Sequence, residues 1–143
     1  MSQYTASVPS DGAVKPEIRA FFEKFYAVSD TPGGHEQYAD MFTGDGTLIM
    51  GPNKTQGRDN IIKMREGMWV KVAKRSHQPK QLYPFGSGSN DIMLFGTVDY
   101  TLREGGSTSL DWAARARFVE HQGGLKLDHY QVYLDTASMT PKN

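Results

Sequence analysis

The chain contains no cysteine, which excludes disulfides, thiolate metal sites and a cysteine nucleophile. It also has no apolar run long enough to cross a membrane, and the polar opening "MSQYTASVPSDG" lacks the basic start and apolar stretch of a secretory signal. A cytoplasmic protein with no membrane partner is the expectation. Charge of one sign is not in excess: 16 Lys+Arg offset 16 Asp+Glu, so no nucleic-acid partner is expected. The glycine clusters "TPGG" and "GSGS" lack the strand-to-helix setting and the Lys-Ser/Thr of a phosphate loop, and no G-x-S-x-G elbow occurs. The four histidines have no metal-ligand spacing. Neither a metal nor a cofactor is expected.

What is present is one domain's worth of chain, 143 residues with 11% aromatics, enough to build a core without a metal or disulfide. No repeat or linker interrupts it. Residues 1–14 read as a flexible lead-in, 15–137 as a single domain and 138–143 as a C-terminal tail. Pro16 suits a first helical turn, and Ile18, Phe21, Phe22, Phe25 and Tyr26 then recur with helical period to about Ser29, where "SDTPGG" ends the helix. A short helix fits "HEQYADMF", a strand fits Thr47 to Met50, and a further strand fragment fits "KTQ". "GRDNIIKMREGMWVKVA" predicts a third helix capped by Asp59, with Ile61, Met64, Met68, Trp69 and Val72 as its buried stripe and a basic last turn of Lys71, Lys74 and Arg75.

From His77 onward the period becomes two. Strands are predicted at about 80–86, 91–103, 107–121 and 125–136, with hairpin turns at "REGGS" and "HQGG". Alternation sends Leu110, Trp112, Ala114, Ala116 and Phe118 inward and turns Asp111, Ala113, Arg115 and Arg117 to the back. The same rule puts Leu94, Gly96, Val98, Tyr100 and Leu102 inward, with Tyr130, Val132 and Leu134 as one row of the last strand. The small residues Gly96, Ala114 and Ala116 either leave space for a pocket or let neighbouring chain approach closely. On the back, Arg115 and Arg117 are expected to pair across strands with Asp99 and Asp111.

This order of elements, together with "GTVDYTLREGGSTSLDWAARARFVEHQGGLKLDHYQVYLD", resembles the SnoaL-like branch of the nuclear-transport-factor-like superfamily; "DWAARARF…YQVYLD" resembles uncharacterised fungal members in particular. The resemblance spans about residues 16 to 136. It implies an α+β fold, a cone-shaped barrel of three helices from the N-terminal half packed on a curved, mainly antiparallel sheet. It further implies a cavity whose polar groups come from the second helix, the entry to the third strand and the inner sheet face, which here hold Tyr38 and Asp40, His77 and Tyr83, and Tyr100 and Trp112. The pattern is incomplete: Trp112, Ala114 and Ala116 stand where a dehydratase of the scytalone type would carry a second histidine, and alternation turns Asp99 and Asp111 away from the cavity.

On these grounds the chain is expected to bind a hydrophobic, oxygenated small molecule of polyketide or terpenoid type. It would act as a cofactor-independent isomerase, cyclase, dehydratase or hydrolase of secondary metabolism, with non-catalytic ligand binding and protein interaction as alternatives. His77 and Asp40 are the candidate acid–base pair, because histidine titrates near neutrality and a carboxylate fixes its tautomer. The other reading of His77 is a cation at the basic end of the third helix. Tyr26, Tyr38, Tyr83 and Tyr100 are candidate hydrogen-bond donors to a substrate. Trp112, Phe22, Phe25 and Met68 are the candidate apolar wall. The sheet's back face leaves both a homodimer and a monomer open.

Overall fold

The computed structural model describes residues 2–135; the tail expected at 138–143 lies outside them. In chain order the elements are α1 (Pro16–Ser29), α2 (His35–Asp40), β1 (Phe42–Met50), β2 (Asn53–Gln56), α3 (Arg58–Met68), β3 (Val72–Pro84), β4 (Asp91–Leu102), β5 (Ser107–His121) and β6 (Gly124–Tyr133). The six strands form one sheet in the order β2-β1-β6-β5-β4-β3. All neighbours are antiparallel except β1 and β6, so the two halves of the chain are joined by one parallel pair. Three helices on a curved, mixed sheet make the expected α+β cone.

α1 places Ile18, Phe22, Phe25, Tyr26 and Ser29 on its buried face, the continuous stripe its period demanded. Phe22 packs in the core against Phe118 and Tyr26, with ring centroids 5.4 and 6.1 Å away. On the sheet, Leu94, Val98, Tyr100, Leu110, Trp112, Ala114, Ala116, Phe118, Tyr130 and Val132 are buried, as alternation required.

Three expectations are corrected. α3 ends at Met68, four residues before Val72, and its N-cap is Gly57 in place of Asp59. Trp69 and Val72 kept the helical period going in the sequence, but Val72 opens β3, where a β-branched residue fits a pleated surface. Arg75 and His77 are therefore strand residues facing Tyr100 and Val98 of β4, and His77 caps no helix. The lead-in is not loose: Ser7 exchanges backbone hydrogen bonds with Lys80 and Leu82 of β3 at 2.9 and 3.0 Å, and Ala6 is buried. It covers the β3 edge of the sheet, which would otherwise expose unpaired backbone groups. On the back face, Arg115 forks onto Asp91 at 3.0 and 2.8 Å and Arg117 pairs with Asp128 at 3.0 Å. Asp99 accepts from Ser109 at 2.5 Å.

Gly96 shows what one of the small inward residues is for. A Cβ there would run into the Gln78 carbonyl oxygen and come within 2.9 Å of Pro79 Cα and Trp112, so its smallness lets β3 and the Trp112 ring close on β4. Gly96→Ala is expected to lower stability by about 1–3 kcal/mol. Gly44→Ala, where nothing lies within 4 Å, is the control; urea midpoints of the two variants measure the difference.

Candidate active site

The inner end of the cone is a chamber lined by Phe25, Tyr26, Tyr38, Arg65, Arg75, His77, Tyr100, Trp112 and Tyr130, among others. Its free space is about 20 Å³, room for one water molecule. Met50, Met68, Arg75, Tyr100 and Leu134 also line an adjoining outer groove of about 450 Å³. These five side chains are the partition between groove and chamber.

His77 enters the chamber from β3. Its Nδ1 lies 2.5 Å from Asp30 Oδ1, while Asp30 Oδ2 accepts from the His77 backbone N–H and from the Tyr4 hydroxyl, both at 2.8 Å. With an ionised Asp30 this contact makes Nδ1 the protonated nitrogen. Nε2 has no hydrogen-bond partner among the described residues, and the ring lines the chamber. Burial holds the His77 pKa below the ordinary histidine value; Asp30 acts in the opposite direction, and the Arg65 and Arg75 charges add to the lowering. The result is a neutral imidazole at pH 7, oriented by a carboxylate. Burial, reinforced by Asp30, raises the Tyr4 pKa, so Tyr4 remains a donor.

Tyr26 and Tyr130 hydroxyls are 2.6 Å apart. Burial raises both pKa values well above the usual phenol range, so each keeps its proton. Two protons serve one shared contact, which leaves one hydroxyl hydrogen to be donated elsewhere. The Trp112 indole N–H is buried with no partner among the described residues. The chamber therefore offers one free base nitrogen and several unspent donors.

Among the expected site residues, His77, Tyr26, Tyr38, Tyr100, Trp112, Phe25 and Met68 line this chamber. Three do not. Asp40, the expected partner of His77, is exposed at the end of α2 and pairs with Arg58 at 2.7 Å, because a six-residue helix delivers it to the surface. Tyr83 is 46% exposed and stacks on Phe95, on the opposite face. Phe22 belongs to the core. Sequence reasoning missed Asp30, Arg65 and Arg75 as site residues. Asp30 had one local signal: it is the C-cap of α1, where the helix dipole disfavours a negative charge. Arg65 stands four residues after Ile61 and is buried with it, a charge placed inside the apolar stripe.

No known family pattern matches the chain, and no curated protein matches it. Solved structures of the same fold do. ActVI-ORFA from Streptomyces coelicolor is 18% identical, with a TM-score of 0.70 over 84% of this chain and 96% of its own. Nuclear transport factor 2 (Ntf2) from Cryptosporidium parvum is 14% identical, with a TM-score of 0.67 over 91% and 99%. A type 2 hexachlorocyclohexane dehydrochlorinase (LinA) is 13% identical, with a TM-score of 0.69 over 83% of each chain. The fold is thus the one shared by NTF2-like and SnoaL-like proteins, and at these identities fold is what the likeness establishes.

The geometry predicts an NMR titration in which His77 has a pKa below 6.5, its ordinary value. Asp30→Asn should lower it further, since the carboxylate raises it, while Asp40→Asn should leave it unchanged. The stability consequence has a definite sign. With the folded pKa depressed, the unfolded chain binds the proton more tightly, so this contribution is complete above pH 6.5 and is lost as pH falls.

Proposed function

We propose that the chain is an enzyme that moves a proton on an oxygenated, largely apolar small molecule, with His77 as the base and Asp30 as the group that orients it. The observation that carries this reading is the 2.5 Å His77 Nδ1 to Asp30 contact on a ring that lines the chamber and whose other nitrogen has no hydrogen-bond partner among the described residues. Nε2 would take a proton from a carbon beside a carbonyl, and Asp30 would stabilise the imidazolium that forms. The spare proton of the Tyr26–Tyr130 pair and the Trp112 N–H would meet the charge developing on the carbonyl oxygen. Returning the proton to another carbon gives isomerisation; delivering it to a β-hydroxyl expels water and gives dehydration. The dehydrochlorinase of the same fold is by its name an elimination enzyme, which supports the class and not the substrate. A polyketide- or terpenoid-like body would rest in the outer groove, whose volume falls within the usual range for ligand sites. Methionines in the partition supply adaptable side chains for its reacting end to pass.

In D₂O with a panel of cyclic ketones and β-hydroxyketones, loss of the α-hydrogen signal or release of water should be catalysed. His77→Ala should slow it by about 10²–10⁴-fold, and Asp40→Asn should change nothing. The wild-type kcat/KM should fall on the acid side with a midpoint below pH 6.5. Equal turnover by wild type and His77→Ala would remove the assignment.

A second reading, protein interaction through the sheet's back face, is favoured by exposed Tyr83, Met93, Phe95 and Tyr133. Phe95 and Tyr133 flank Ala113 in register, and Met93 lies beside Tyr83, so the four make one patch. If this patch joins two copies, light scattering should give a dimer that Phe95→Asp converts to monomer; a wild-type monomer would count against it.

A further inference from the structure

We propose that the chamber is an anion site and that the small molecule it receives carries a carboxylate; this deepens the small-molecule reading above and rests on it. Two arginines reach the chamber from different elements, Arg65 from α3 and Arg75 from β3, and they are 2% and 6% exposed. Neither has a carboxylate within ion-pair distance among the described residues, and no Asp or Glu lines the chamber.

Each guanidinium is only partly satisfied. Arg65 donates from Nη2 to the Ser29 carbonyl at 2.6 Å and sits 4.2 Å from the centre of the Tyr38 ring. Arg75 donates from Nη2 to the Met68 carbonyl and lies 5.0 and 5.2 Å from the Tyr100 and Trp69 rings. The Nε–H of each is buried with no partner among the described residues. Carbonyl oxygens and ring faces offset part of the cost of burying a cation, but they carry no charge to cancel it, and an uncompensated buried charge costs several kcal/mol. Burial and the neighbouring Arg65 charge push the Arg75 pKa down to about 10, which still leaves it charged at neutral pH. Asp30, the acid that influences both arginines, is committed to His77 and Tyr4. With His77 neutral, two cations and one anion leave the chamber region at +1.

Beside this surplus, among the described residues, stand four donors, the two Nε–H groups, the Trp112 N–H and the spare hydroxyl of the tyrosine pair, and one acceptor, His77 Nε2. A planar monoanion is the form proposed, since Tyr26, Tyr38, Tyr100 and Trp112 are among the lining residues and the space between them is small. Guanidinium forks also match carboxylate geometry.

Benzoate and its neutral isostere benzamide test the proposal, followed by the Trp112 indole N–H in ¹H–¹⁵N spectra of the full chain, with inorganic phosphate as a third probe. Benzoate is expected to bind roughly tenfold or more tightly than benzamide, and to raise the thermal unfolding midpoint where benzamide does not. Arg65→Met and Arg75→Met should each cut benzoate affinity roughly tenfold while leaving benzamide affinity in place. His77→Ala should retain the preference for benzoate, so a failed proton-transfer assignment and a failed anion site give different results. Absence of a benzoate shift, equal binding of benzamide, tighter binding of phosphate, or a preference intact in both arginine variants would each overturn the proposal. Should the arginine variants not fold, the wild-type comparison decides alone.

Discussion

The Asp30 carboxylate holds three parts of this molecule together. It ends α1 on the unfavourable side of the helix dipole, and it is compensated by three hydrogen bonds from two other segments: the Tyr4 hydroxyl, the His77 backbone N–H and His77 Nδ1. The first brings the lead-in across the helix end. The second fixes β3 against α1, and the third sets the tautomer and direction of the His77 ring. Charge-assisted hydrogen bonds to a shielded carboxylate are each worth more than neutral ones, so one side chain ties the N-terminal segment, the first helix and an edge strand to a single geometry. The placement of the His77 ring at the chamber is a consequence of that geometry.

Alternation along β3 does the rest. Arg75, His77 and Pro79 stand opposite Tyr100, Val98 and Gly96 on the neighbouring strand, and this row faces the helices, while Lys74 and Lys80 are exposed. The basic run around His77 is thus split by the pleat into a buried arginine and solvated lysines. Gly96 allows the row to close, since any larger residue would hold Trp112 and the β3 backbone away from the chamber.

How much of this was legible follows from how local each signal is. The inward set of β5 could be read because apolar and outward residues alternate from Leu110 to Phe118 and bury one face, so a one-residue slip would have turned the whole set outward. The end of α3 could not, because Trp69 and Val72 continue the helical period past Met68 and nothing in the sequence says the period has stopped meaning helix. That one misplaced boundary turned Arg75 and His77 into helix-end cations. Asp30 was hidden differently: in "SDTPGG" it looks like turn punctuation, and its partner is 47 residues away. Asp40 was preferred as the carboxylate of the second helix, but α2 buries Tyr38 and Ala39 and leaves Asp40 on its exposed side. The resemblance pointed to His77 from strand order, independently of which acid the helices supply, and the His77 ring lines the chamber.

On the proposed reading, binding and proton transfer would be coupled in this chamber by charge. Burial, Arg65 and Arg75 all disfavour a proton on His77, and Asp30 favours one; the balance leaves the imidazole neutral and able to act as a base. The same arginines, without a carboxylate of their own, make the empty chamber unfavourable to a second positive charge. A bound carboxylate would offset them just when His77 has to accept a proton, because the imidazolium then forms beside a neutralised pair instead of two bare cations. The anion site would therefore strengthen the base only when it is filled, and an empty chamber would hold its histidine neutral. On this reading the absence, among the described residues, of an acidic partner for Arg65 and Arg75 is what would make the site responsive: a protein carboxylate in that place would offset both charges permanently and leave the ligand nothing to change.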